Sequence, residues 1–355
     1  MAVPTTDSAM YRTMHRQPED LRRLLATGWG PAAEAAERLA RAERVLVVGI
    51  GTSYHAALVG GWLLRAAGAD ARAVHSFDLA LYPEAAALRA SDAVVVMAHT
   101  GVKRFSAEAM AKARAVGAAV LSVGSLTAEH PDSQLVLRTV EREKSAAFTA
   151  SHLAAMTVLA QVATELGERR KTAGVEGFRG ALGRLPDQIA EVLAREAEVW
   201  PVAQDAASRR IYAAGAGPNE ATAFEAVIKV REAAHGWIDA LGLEQFLHGP
   251  MVSVNAGDLV ILVNVPGRGA ERVAQSAATF DALGARLWLV GQGIPALARA
   301  TVFLLPETPE LLSPLLAVVP IQLLAYGMAV ARKVNPDSFR RDDPTYAAAF
   351  GLLKL

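Results

Sequence analysis

The chain has 355 residues, which at about 150 residues per domain suits two domains with sizeable cores. Thirty-six basic residues balance thirty-six acidic ones, so no basic field exists to hold nucleic acid or an anionic membrane. There is no cysteine, which excludes disulfides, thiolate metal sites and a cysteine nucleophile, and fits a reducing compartment such as the cytoplasm.

The N-terminal run "MAVPTTDSAMYRTMHRQPEDLRR" has no basic region followed by an apolar core, so no secretory leader is expected. Short apolar runs then alternate with Ala-rich helical stretches, the pattern of a parallel sheet covered by helices. In the first half the predicted strands are Arg44–Gly51, Ala71–Phe77, Asp92–Gly101 and Ala118–Ser125, with Ser133–Glu141 as a short fifth. In open parallel sheets, ligands sit beyond the carboxyl ends of the strands, so the loops there matter most. The first such loop is "GIGTSYHAAL". Gly49 and Gly51 permit a tight turn, and Thr52 and Ser53 offer hydroxyls and N–H groups at a helix start, where a phosphate fits. Tyr54 stands where a dinucleotide fingerprint needs its third glycine. The second loop is "AHTGVKRFS", with His99, Thr100, Gly101, Lys103, Arg104 and Ser106. Cations at a helix start oppose the helix dipole, which favours an anion placed there.

A helical stretch of polar character, Glu168–Trp200, reads as a connector. The second half repeats the rhythm with strands at Arg210–Gly217, Asp258–Gly269, Ala285–Gly293 and Thr301–Glu307, which points to a duplication. One helix there, "EAVIKVREAAHGW", is heavily charged. Glu225, Lys229 and Glu232 share a helical face, with Arg231 elsewhere. On spacing alone this is first a surface salt bridge. A carboxylate beside a partly buried lysine is also a general base held ready. Gly236 and "WIDAL" end the helix and start a further strand, and His248 precedes the turn at Gly249-Pro250. No spacing such as HExxH is present, so no metal is expected. The uncharged run Leu311–Ala331 is long enough to span a bilayer, but Pro314, Pro320 and Gln322 interrupt it. It is expected to be a buried helix starting near Pro320, with no membrane partner.

These motifs, in this order, resemble the double sugar-isomerase (SIS) domain family, and in particular the isomerase part of the glucosamine-6-phosphate synthases. The likeness covers roughly residues 10–340 and is carried by "MHRQPEDLRRLL", "GIGTSYHAAL", "EKSAAFTASHLAAM", "FEAVIKVREAAHGWIDALGLEQFLHGP" and "PIQLLAYGMAVARKVNPD". The resemblance implies an α/β chain of two flavodoxin-like domains, each a parallel sheet with helices on both faces. It implies a lead-in helix over residues 1–30, a first domain over 31–175, a connector over 176–204, a second domain over 205–333 and a tail over 334–355. It also implies roles. Glu232 would move a proton between C1 and C2 of an open-chain sugar phosphate, with Lys229 in the same site. His248 would help open the ring from the partner subunit of a homodimer. Gly51, Thr52, Ser53, His99, Thr100, Gly101, Lys103 and Ser145 would bind the substrate and its 6-phosphate. No cofactor is implied.

Three departures bear on function. The family's Ser-x-Ser-Gly-x-Thr loop is here "AHTGVK", with Ala98, Thr100 and Lys103 at those places. The imine-forming lysine of the synthases finds Arg340, Arg341 and Asp342 in its region, and Lys354 is too far along to align. No glutaminase domain precedes the match, so free ammonia rather than glutamine is the expected nitrogen. The expected activity is therefore a sugar-6-phosphate isomerase/deaminase acting on an amino-aldose phosphate such as glucosamine 6-phosphate. A fructosamine-6-phosphate deglycase, a simple aldose–ketose isomerase and a non-catalytic sugar-phosphate-binding regulator stand as rivals.

Overall fold

The computed structural model describes residues 7–101, 103–293 and 297–353; Val102 of the second loop and Lys354 lie outside them. The elements run α1 (Ala9–Thr27), α2 (Trp29–Ala40), β1 (Arg44–Gly49), α3 (Thr52–Ala66), β2 (Asp70–His75), α4 (Ser76–Leu81), β3 (Asp92–Met97), α5 (Arg104–Ala115), β4 (Ala119–Gly124), β5 (Leu135–Arg138) and α6 (Ala150–Arg170). They continue α7 (Phe178–Ala194), α8 (Trp200–Ala206), β6 (Ile211–Gly215), α9 (Glu220–Ala234), β7 (Ile238–Gly242), α10 (Leu243–Leu247), β8 (Leu259–Asn264), α11 (Ala270–Ala282), β9 (Arg286–Gly291), β10 (Ala300–Leu304), α12 (Pro314–Arg332) and α13 (Pro344–Phe350). The chain divides into two compact units. The first holds Arg16–Glu143 and Ala150–Pro186, and the second holds Lys144–Thr149 and the described residues from Asp187 onward, together with the segment ending at His15.

Each unit has one five-stranded parallel sheet. The first is ordered β2-β1-β3-β4-β5 and the second β10-β9-β8-β6-β7, the doubly wound flavodoxin-like order in both cases. The central strands β3 and β8 are buried at all six positions. That is why they read as unbroken valine, leucine and isoleucine runs rather than as alternating ones. One core of the first unit packs Leu46, Val48, Val94 and Val96 under Met110 and Leu79. Its counterpart packs Val260, Leu262 and Leu287 under Phe246 and Phe280.

The duplication is visible in side-chain chemistry. In the first unit, Arg44 donates from Nε and Nη2 to Asp92 at 2.8 and 2.6 Å, and Nη2 also reaches the Ala87 carbonyl. In the second, Arg210 donates to Asp258 at 3.2 and 2.7 Å, and its Nη2 reaches the Ser253 carbonyl. Asp92 also accepts from the Arg89 N–H, and Asp258 from the Asn255 N–H. One offset of 166 positions relates all four pairs of residues. The same offset carries Gly49, Gly51 and Gly101 onto Gly215, Gly217 and Gly267.

The apolar helix α12 starts at Pro314, not near Pro320 as the sequence suggested. Pro314 takes the first turn, where its missing N–H costs nothing. Pro320 is carried inside the helix, and Lys333 closes it in a left-handed conformation at φ 56°. The stretch Glu310–Arg332 has the length and apolarity to cross a membrane, but 89% of its most apolar window is buried inside the protein.

Candidate active site

The charged helix α9 packs against β6 and β7 and against α12. Its acidic and basic face is therefore buried, which overturns the reading of a surface salt bridge. Lys229 and Glu225 are both 0% exposed. The Lys229 ammonium lies 2.7 Å from Glu232 Oε2 and 3.5 Å from Glu225 Oε1. Glu232 differs from Glu225 in keeping 22% of its side chain exposed. So one buried lysine is held by two carboxylates, of which one reaches solvent. Burying such a cluster costs several kcal/mol per ion before the pairing is counted. Apolar residues would fill this place at less cost, which makes the cluster the candidate functional centre.

Glu232 opens onto a cleft of about 310 Å³. Its walls include Arg231 and His235 from the end of α9, and Phe339, Arg340, Tyr346 and Phe350 from the tail. His235 caps α9 in the left-handed region at φ 51°. Burial pushes its imidazole below the usual histidine range, and Arg340 adds to that while Asp342 opposes it. Arg231 does not point wholly away: it is among the residues lining this cleft, while its Nη2 donates to the Ile238 carbonyl.

His248 lies elsewhere. It follows α10, its side chain is 74% exposed, and its Nε2 sits 3.2 Å from Glu244 Oε2. It is not among the residues lining the cleft.

The two predicted anion loops follow β1 and β3, which are neighbours in the first sheet. Gly51 has φ 58°, a conformation glycine adopts without strain. Thr52 and Ser53 begin α3 there, both half-buried. In the second loop the Gly101 N–H donates to the Ala98 carbonyl at 3.1 Å, with Thr100 half-buried beside it. Lys103 is exposed at the position preceding α5. Arg104, grouped with it from sequence, is instead paired with Glu108 one turn along, at 3.1 Å. His99 Nδ1 is 3.4 Å from Thr139 Oγ1. Burial, with Arg142 adding, lowers the His99 pKa to about 4, so it is neutral at pH 7. Ser145 is buried, accepts from the Ala147 N–H at 3.2 Å, and belongs to the second unit.

The second unit's copy of these loops is built differently. Pro218 and Asn219 replace Thr52 and Ser53, and Pro266 and Gly269 replace Thr100 and Lys103. The Glu310 carboxylate enters the loop, accepts from the Arg268 N–H at 3.2 Å, and lies against Gly267 so closely that a Cβ there would sit 2.2 Å from its Cδ.

Residues 38–165 match the family model for the SIS domain. They form a SIS domain. The likeness extends well past it. Glutamine--fructose-6-phosphate aminotransferase [isomerizing] of Pyrococcus horikoshii is 28% identical over 336 residues, covering 92% of this chain and 56% of that protein. The chain thus spans about half the length of the curated relatives it matches, and it is homologous to their isomerase portion. Among solved structures, the C-terminal domain of glucosamine-fructose-6-phosphate aminotransferase from Francisella tularensis superposes with a TM-score of 0.84 at 15% identity, covering 93% of this chain and 98% of that one. Glucosamine-6-phosphate deaminase from Thermotoga maritima does so with a TM-score of 0.73 at 20% identity, covering 93% and 97%. These structures share the two-sheet fold of this chain. The tail residues Phe339, Tyr346 and Phe350, and His235, were not among the residues singled out from sequence. The tail's only signal was three aromatic rings near two arginines.

Proposed function

We propose that this SIS-domain chain is a sugar-6-phosphate isomerase/deaminase. The observation that carries this reading is the Glu232 carboxylate, held 2.7 Å from a buried ammonium and facing a cleft. Glu232 takes the proton from C2 of an open-chain 2-amino-aldose phosphate, leaving an enaminol. The same carboxylate returns the proton to C1, which gives the C2 imine of the ketose. Water adds to that imine and ammonia leaves. One base within reach of two adjacent carbons suffices. Lys229 fixes the base and supplies positive charge as negative charge develops on the substrate. The names of the aminotransferase and deaminase relatives support this class of substrate. The test is ammonia release, with ketose phosphate formation, on a panel of amino-sugar phosphates. Turnover of aldose phosphates alone would replace this reading with a simple isomerase. Binding with no turnover of any panel member would replace it with a regulator.

A second reading, a deglycase acting on fructosamine 6-phosphates, is favoured by one observation. The cleft beside Glu232 carries far more aromatic and cationic wall than release of ammonia requires.

In this proposal the loops after β1 and β3 hold the phosphate, with Lys103 supplying charge where the family pattern supplies a hydroxyl. Lys103→Ala is then expected to weaken binding of sugar phosphates by about 1–3 kcal/mol, the range for a charge-assisted hydrogen bond. Calorimetry that finds equal affinity in the two proteins removes Lys103 from the site.

We also propose that His248, exposed on its turn, completes the site of a second copy. His248→Ala and Glu232→Gln proteins, each inactive, are expected to recover about a quarter of wild-type activity when mixed in equal amounts. This follows if half the dimers are mixed and each has one intact site, acting independently. No recovery despite demonstrated exchange of subunits places both residues within one chain.

A further inference from the structure

The cleft at Glu232 combines several features that are uncommon singly. Six described residues other than glycine have a positive φ, and three of them, His235, Phe339 and Arg340, line this one cleft. Left-handed conformations cost a side-chain-bearing residue free energy, and they gather where function repays them. Phe339 and Arg340 are consecutive, at φ 53° and 56°, so the tail is bent sharply at the point where it meets the cleft.

That bend sets out a specific chemistry. The Arg340 guanidinium lies over the Tyr346 ring, 3.8 Å from its centre. Phe339 and Phe350 pack together with centroids 5.2 Å apart. The stacked guanidinium is flat, and its ion-pair distance to Asp343 is 3.9 Å, too long for a hydrogen bond, while Asp342 also lies within its field. Arg231, whose Nη2 is held by the Ile238 carbonyl, also lines the cleft. The Nε2 of His235 is buried without a hydrogen-bond partner, which leaves one more polar atom in the wall.

We infer that Arg340, seated on Tyr346, is a specificity-determining residue that binds a carboxylate on the amine part of the substrate. The inference rests on the proposed action on sugar phosphates. It deepens the second, deglycase reading given above by naming the amine on the sugar as an amino acid. Glu232 on the cleft wall places the reacting carbons at one side. In this inference the substituent on nitrogen lies along the aromatic and cationic wall of the cleft. Guanidinium forks match carboxylates in two parallel hydrogen bonds, and the rings of the tail suit an apolar or aromatic side chain.

The test compares two synthetic fructosamine 6-phosphates, one made from phenylalanine and one from phenethylamine, which is the same amine without its carboxylate. Binding is measured by calorimetry on Glu232→Gln protein, so that turnover does not interfere. Glucitol 6-phosphate serves as an open-chain sugar phosphate without an amine. The phenylalanine adduct is expected to bind at least about 10-fold more tightly than the phenethylamine adduct, the effect of one charge-assisted hydrogen bond. Arg340→Met in the same background should abolish that preference. Arg341→Met, which removes the same charge from a neighbour outside the cleft wall, should keep it. Equal affinity for the two adducts while glucitol 6-phosphate binds overturns the subsite and leaves the sugar-phosphate reading standing. Equal loss of preference in both arginine variants overturns the role of Arg340. If neither the adducts nor glucitol 6-phosphate bind, the sugar-phosphate reading fails and the subsite fails with it.

Discussion

Glu232→Gln protein is expected to fold and bind sugar phosphate as the wild type does while losing turnover by about 100-fold or more, the usual contribution of a placed general base. The substitution keeps the size of the side chain and its Oε atom. That atom still accepts from the Lys229 ammonium, which in the wild type is 2.7 Å from Glu232 Oε2. What is lost is the capacity to take a proton. Because the base acts in the transition state and not in ground-state binding, kcat and kcat/KM should fall together while KM stays nearly level. The measurement is steady-state kinetics on whichever panel substrate is turned over fastest. Near-normal turnover would exclude Glu232 as the base.

Lys229→Met has the second large effect, and it falls on stability. Lys229 is among the largest side chains that the fold buries completely, and Glu225 beside it is also 0% exposed. Removing the ammonium takes a positive charge from two carboxylates at once, one of them shut away from water. Breaking a buried ion pair from one side typically costs about 3–5 kcal/mol, because the remaining charge keeps its desolvation penalty. The urea midpoint of Lys229→Met should drop accordingly, with little change in slope. Adding Glu225→Gln should restore much of the stability, since the buried charge that Lys229 offset is gone. It should not restore activity, since Glu232 still lacks its cation. A single variant within about 1 kcal/mol of wild type would mean that the cluster is hydrated in solution, as an exposed pair would be.

Much of this architecture was legible in the chain. Strands such as "RVLVV" and "LVILVN" are buried on both faces, so their apolar runs are continuous and hard to mistake. The short strand at "WIDAL" was legible because Gly236 stands just before it as a breaker, although His235 is the residue that caps α9. The burial of the charged helix was not. A helical pattern shows which residues share a face, but not what will cover that face, and α12 comes about 80 positions later. The stretch Glu168–Trp200 reads as polar because its charges are many. Yet Leu182, Leu185, Ile189 and Val192 recur at helical spacing and are buried. The cleft beyond Glu232 was the least legible part. Its shape depends on left-handed backbone at Phe339 and Arg340, and no local pattern announces that conformation for residues other than glycine.

The Glu310 carboxylate bears on how the two halves can change over time. A side chain that enters its own loop stands in for a ligand, and so removes the need for one. Pro218 and Pro266, which lack the hydroxyls of Thr52 and Thr100, are tolerable where Glu310 already satisfies the Arg268 N–H. The duplicated loops are therefore under unequal constraint. In the first half, under the proposed phosphate site, drift at Thr52, Ser53 and Thr100 is limited by the anion those groups would hold. In the second half the limit is internal: Glu310 and the bare backbone of Gly267 must be kept or lost together, as a co-inherited pair.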